Sequence, residues 1–167
     1  MSSNVMLETV SHRTILVPLD GSRLAECVLP HVRSLIRPGT TRLHLCSVLT
    51  TGLGDRTVAL MTTYPPGMQL SATALARAEL QLEVYLREVA AHLRERGASV
   101  QHHIRRGNPA EEVLNYAYEI QADLIVMSTH GYSGASRWVY GSVASRVLRG
   151  APCPVLLIRP GEADFLQ

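Results

Sequence analysis

The 167-residue sequence predicts one doubly wound α/β domain, a five-stranded parallel sheet with helices on both faces. Three observations carry this prediction. The runs ILVPL, DLIVM and PVLLI are apolar, short and bounded by breaking residues, so they read as strands rather than helices. Segments with apolar residues at helical spacing alternate with them. Strand–helix alternation over one domain's length is the pattern of right-handed crossovers in a parallel sheet.

The first strand is Arg13 to Leu19 and stops at DGS. Ser22 is placed to cap a helix whose apolar positions are Leu24, Val28, Val32, Leu35 and Ile36. The triplet RPG at 37–39 ends it. Arg42 to Leu49 is the second strand. Residues 50–69 carry Gly52, Gly54, Asp55, Pro65, Pro66 and Gly67 without a period, which predicts a long surface loop. A long helix follows from about Leu70 to Arg96, buried along Leu75, Ala78, Leu82, Leu86, Val89 and Leu93, and Gly97 stops it.

SVQHHIRR is the third strand. The next helix opens with Asn108 as cap, Pro109 at its first position and Glu111 three residues after the cap. DLIVMS, nearly all apolar, is a central strand covered on both faces. SVASRVLRG is the last helix, and PVLLIRP the fifth strand. Residues 1–12 and 161–167 are read as tails flanking a domain at 13–160.

The composition narrows the chemistry. Hydrophobic residues are 46%, charged residues 18% and the net charge +2, the balance of a globular protein, with nothing that calls for a nucleic acid or a membrane. All sixteen basic residues are arginine. Schiff-base chemistry and a P-loop lysine are therefore excluded, and any phosphate must be held by backbone amides, hydroxyls or arginine. Cys27, Cys46 and Cys153 are widely spaced within apolar segments and read as buried free thiols. No secretory signal and no membrane-length apolar run is found, so the expected compartment is the cytoplasm.

The distinctive stretch is STHGYSGASRWVYGS, residues 128–142, which follows the fourth strand and contains no acidic residue. Ligands of doubly wound sheets bind at the carboxyl ends of the strands, where the strand order reverses. If the first and fourth strands are neighbours, the DGS turn and this glycine-rich loop face each other. Gly131 and Gly134 allow close backbone approach, while Gly141 and Ser142 begin a helix whose free amides favour an anion. Spacing alone leaves open whether such a turn binds phosphate or nothing.

Taken together, ILVPLDGS, GNPAEEVLNYAYEIQADLIVMSTHG and GSVASRVLRGAPCPVLLIRP resemble the universal stress protein family over about residues 13–160. Its signature is glycine, two residues, glycine, nine residues, then glycine with Ser or Thr. Gly131, Gly141 and Ser142 match it, and Ser128 stands where the first glycine belongs.

The resemblance implies a Rossmann-like, adenine nucleotide alpha hydrolase-like sheet of order 3-2-1-4-5. It also implies a site for ATP, or AMP or ADP, with Mg²⁺ accompanying the nucleotide. Pro18 and Asp20 would lie at the adenosine end and Val48 against adenine. Ser128, Gly131, Ser133 and Gly134 would wrap ribose and phosphates, and Gly141, Ser142 and Val143 would grip the phosphates. Dimerisation through the fifth strand, Val155 to Arg159, is implied as well, with a further protein partner that the sequence does not identify. Function is then nucleotide-dependent sensing or modulation in a stress response, with at most slow hydrolysis. The alternative is a scaffold of the same fold that has lost nucleotide.

Single residues near the loop keep two readings. Arg137 is a phosphate contact or a solvated arginine, and Asp20 a ligand group or a turn former. His130 reads as a structural imidazole rather than a base, and Trp138 and Tyr140 as packing residues. His102 and His103 are adjacent on a strand, point to opposite faces and cannot share a metal.

Overall fold

The structure, a computed structural model, describes residues 13–50, 72–129 and 140–161. The expected N-terminal tail, most of the 50–69 loop and most of the C-terminal tail lie outside the described residues.

The strands are β1 (Arg13–Pro18), β2 (Thr41–Leu49), β3 (Ser99–Arg106), β4 (Leu124–Ser128) and β5 (Val155–Ile158). All pair in parallel, in the order β3-β2-β1-β4-β5. The helices among the described residues are α1 (Arg23–Glu26), α2 (Leu29–Leu35), α3 (Ala72–Arg94), α4 (Pro109–Glu119) and α5 (Ser142–Gly150).

Alternation along the central strands divides the core. Ile15 and Val17 pack with Val32 of α2 and Leu86 and Leu93 of α3 on one face. On the other, Leu16, Ile125 and Met127 pack with Val113 of α4 and Val147 of α5. Because β1 and β4 bury both faces, they read as unbroken apolar runs.

Their mutual register is fixed by Ile15 opposite Leu124 and Leu16 opposite Ile125. It is extended by the residue before β4: the Thr14 amide donates to Asp123 Oδ2 at 2.7 Å, and the Asp123 amide donates to the Thr14 carbonyl at 2.8 Å. A carboxylate thus supplies the next rung of the ladder.

The local signals behave as the sequence predicts at several ends. Asn108 Oδ1 accepts from the amides of Ala110 and Glu111, with Pro109 opening α4. The Ser22 hydroxyl accepts from the Ala25 amide at 3.1 Å.

One expectation changes. The segment after Ser22 is two helices, α1 and α2, broken at Cys27 and Val28. Pro30 causes the break: it lacks an amide hydrogen, its ring crowds the carbonyl four residues earlier, and it is tolerated only in the first turn of α2. The thiols also differ from expectation, since only Cys46 is buried while Cys27 and Cys153 are half-buried. Burial pushes the Cys46 thiol up to about 12, which keeps it protonated.

Edge strand β3 is pinned from both sides, as neighbouring residues on opposite faces allow. His102 meets Glu83 of α3 at 3.0 Å. Arg105 forks onto both oxygens of Glu119 at 2.8 Å and reaches Glu112 at 2.7 Å, lying over the Tyr116 ring. Beside it His103 stacks on His44, and His44 Nδ1 lies 2.9 Å from the Tyr116 hydroxyl. Burial first, then neighbouring cationic groups, hold both imidazoles below their usual pKa.

Two outcomes follow from this packing. Gly97 has φ +85°, and a Cβ there would meet the rigid Pro38 ring at 2.9 Å. Gly97→Ala should therefore lower unfolding stability by about 2 kcal/mol, read from urea midpoints at unchanged m-value. The imidazoles give a pH dependence. Their folded pKa lies below the unfolded value, so the unfolded chain takes up protons first as pH falls through about 6.5. Stability is then lost on the acid side. Melting temperatures at pH 7.5 and 5.5 should diverge less in His103→Gln than in the wild type; an equal or larger divergence contradicts this account.

Candidate functional site

Two residues past the Leu16–Ile125 pair, β1 reaches Pro18 and β4 reaches Met127, so the segments leaving these strands start side by side. On the β1 side the chain is held against β2. The Leu19 amide donates to the Cys46 carbonyl at 2.8 Å, and the Ser47 hydroxyl donates to the Leu19 carbonyl at 2.7 Å. Half-buried Pro18 stands opposite Cys46. Val48 is buried in the cluster covered by α4 and α5.

Asp20 performs the turn-forming role. Its Oδ1 accepts from the Ser22 amide at 2.9 Å and from the Ser22 hydroxyl at 2.6 Å. The same hydroxyl caps α1, so carboxylate and helix start form one unit.

On the β4 side, Ser128 is buried and opposite Ile158. The Cys27 thiol lies 3.6 Å from its hydroxyl. That contact turns the Ser128 side chain toward α1, away from the face where α5 packs. The next residue closes the mouth of the loop: the Thr129 amide donates to the Ile158 carbonyl, and the Thr129 carbonyl accepts from the Gly141 amide, each at 2.8 Å. Gly131, Ser133 and Gly134, together with His130, Arg137 and Trp138, lie outside the described residues.

Gly141 is the N-cap of α5 and offers no side-chain acceptor. The first amide bonded within the helix is that of Ser145, which donates to the Gly141 carbonyl at 2.9 Å. The preceding amides of Ser142, Val143 and Ala144 therefore have no partner inside the helix, and the helix dipole adds positive potential there. Ser142 is exposed and Val143 half-buried, so both are reachable from solvent. Tyr140 is 53% exposed, against the expectation that it packs inward.

Three residues near the crevice carried no clear sequence signal. Cys27 is one, through its contact with Ser128. Tyr85 of α3 buries its hydroxyl against the Glu26 carboxylate, outside hydrogen-bonding geometry; burial, then Glu26 and Asp20, push its pKa well above the usual value, so it stays neutral. Thr50, just past β2, is buried, and its hydroxyl has no hydrogen-bond partner among the described residues. Its position two residues after Val48 was the available hint.

Among the described residues no three His, Cys, Asp or Glu side chains are grouped to hold a metal. No helix among them is long and apolar enough to cross a membrane. Among the described residues, the ends of β1 and β4 bring together backbone amides, the hydroxyls of Ser22 and Ser128 and the Asp20 carboxylate, a set that suits an uncharged base and an anion.

The model of the universal stress protein family matches residues 11–159. A putative universal stress protein of Staphylococcus aureus is 30% identical over 93% of this chain and 90% of its own length. A universal stress protein of Methanocaldococcus jannaschii is 40% identical over 47% of this chain and 46% of its own length.

Among solved structures, the universal stress protein UspA from Lactobacillus plantarum has a TM-score of 0.71 at 20% identity, covering 89% of this chain and 99% of that one. Two further structures share the fold and are nucleotide complexes. An Arabidopsis thaliana family protein with AMP bound has a TM-score of 0.60 at 15% identity, covering 90% of this chain and 94% of that one. An Archaeoglobus fulgidus protein in complex with dAMP has a TM-score of 0.58 at 19% identity, covering 89% and 97%.

Proposed function

The chain belongs to the universal stress protein family, and from that premise we propose that it binds an adenine nucleotide at the carboxyl ends of β1 and β4 and modulates a stress response through its bound state. The observation that carries the reading is the bare start of α5. Helix α5 begins on a glycine with no side-chain cap, immediately after the loop that leaves β4. Such a start favours a phosphate, and no lysine is needed.

Pro18 and Asp20 border the adenosine end and Val48 meets the base. Ser128 and the loop carrying Gly131, Ser133 and Gly134 line the ribose and phosphates. Gly141, Ser142 and Val143 donate to the phosphates. The likeness to proteins solved with AMP and dAMP supports the nucleotide class. ATP is the proposed physiological ligand, with ADP and AMP at the same place. Mg²⁺, bound with it, would offset phosphate charge. Hydrolysis is slow at most, because the chain has no lysine to clamp a transferring phosphoryl group. The compartment is the cytoplasm.

Occupancy reaches a partner through the dimer. β5 is an edge strand of sequence VLLI, with Leu156 exposed. An apolar edge invites pairing with a second copy, here along Val155 to Arg159.

A second reading, a scaffold that no longer binds nucleotide, draws on Ser128 in place of a glycine. The turn of that side chain toward Cys27 favours the first reading, since it removes the added bulk from the α5 side.

Calorimetry on nucleotide-stripped protein should show saturable binding of ATP, ADP or AMP, with little change on Ser128→Gly. No binding at millimolar ligand rejects the nucleotide role, and binding gained only on Ser128→Gly establishes the scaffold. For the dimer, light scattering should give twice the chain mass for the wild type and one chain mass for Leu156→Arg. A monomeric wild type excludes the β5 interface.

A further inference from the structure

Two buried side-chain polar atoms among the described residues have no hydrogen-bond partner, Thr50 Oγ1 and Tyr85 Oη. Tyr85 is only partly buried as a residue and has a carboxylate beside it, which accounts for its phenol. Thr50 has no such account. The residue is 5% exposed. It is the first beyond β2, where the Leu49 carbonyl still accepts from the Gly107 amide.

Valine has nearly the same shape and would leave no orphaned hydroxyl. A buried donor and acceptor left unmade disfavours the free chain, and such groups call for a specific explanation. A ligand that completes the bond is one.

Position selects the ligand group. Thr50 lies two residues beyond Val48, about 7 Å further along the chain if it continues extended. That distance is comparable to the breadth of a purine. With the base against Val48, as proposed above, the hydroxyl stands at its far edge. A threonine hydroxyl can both donate and accept.

We propose that Thr50 Oγ1 is a base-reading group of the crevice, accepting a hydrogen bond from the exocyclic 6-amino group of adenine. The inference rests on the nucleotide reading and deepens it, because it assigns base discrimination to one side chain. The hydroxyl is unsatisfied in the free protein and satisfied in the complex. Its removal therefore acts with opposite sign on stability and on binding, which a purely structural threonine does not do.

The test is Thr50→Val in the full chain. Melting of the free protein and calorimetry with AMP and with purine riboside 5′-monophosphate, which lacks the 6-amino group, are compared with the wild type. The variant should melt at the same or a higher temperature and bind AMP about tenfold more weakly. Purine riboside monophosphate should bind both proteins equally.

A lower melting temperature overturns the inference, since the hydroxyl would then already have a partner in the free chain. Equal loss of both ligands also overturns it, as a distortion of the strand end. A wild type that binds AMP with a variant that binds it equally well overturns this inference alone. A wild type that binds no purine nucleotide overturns the nucleotide reading and this one with it.

Discussion

The Asp123 carboxylate holding the Thr14 amide is the contact on which the placement of the crevice depends. Residues 109 apart in sequence are locked there into one register. β1 and β4 share only a short ladder, and side-chain alternation does the rest of the aligning. A slip of one residue would turn one of these strands over relative to the other, so that Leu16 and Ile125 would no longer share the face covered by α4 and α5. It would also shift the DGS turn relative to the loop after β4. The carboxylate accepts where a further strand residue would offer only a carbonyl, so the ladder gains a rung at the point where the chain enters β4.

That contact shows where sequence reading stops. Strands were legible because an apolar run between breakers has few other fates, and α4 because Asn108 and Pro109 act within one turn of its start. The opposed orientation of His102 and His103 followed from strand alternation and is seen in their separate partners. The pairing of Asp123 with Thr14 was not legible, since no local pattern relates residues so far apart.

The division after Ser22 was a different kind of miss. Pro30 was visible, but a stripe of apolar residues at helical spacing continued across it, and periodicity outweighed a single ring. At the site, the capping of Ser22 and the start of α5 could be read from residue type. The orphaned hydroxyl of Thr50 could not, because it is defined by what surrounds it. The clustering of His44, His103, Tyr116 and Arg105 likewise arises only when β2, β3 and α4 are brought together.

Polar interactions divide between the two ends of the sheet order. At the β3 edge, ion pairs to α3 and α4 fasten a strand that has one neighbour. At the ends of β1 and β4, hydrogen bonds among the described residues run from backbone to backbone or involve short side chains such as Asp20, Ser22 and Ser47. Among the described residues, the sheet is thus anchored by charge at its β3 edge and mostly by main chain and short side chains where β1 and β4 end.

The bond from the Gly141 amide to the Thr129 carbonyl has an evolutionary consequence. The chain is held at Gly141 against the residue it left at Thr129, so the closure of the segment between them is set by the scaffold. Lengthening or shortening such a segment changes its own entropy only slowly and leaves the helix beyond it in place. Insertions and deletions between Thr129 and Gly141 are therefore changes that the sheet and its last helix can absorb without renegotiating their own packing.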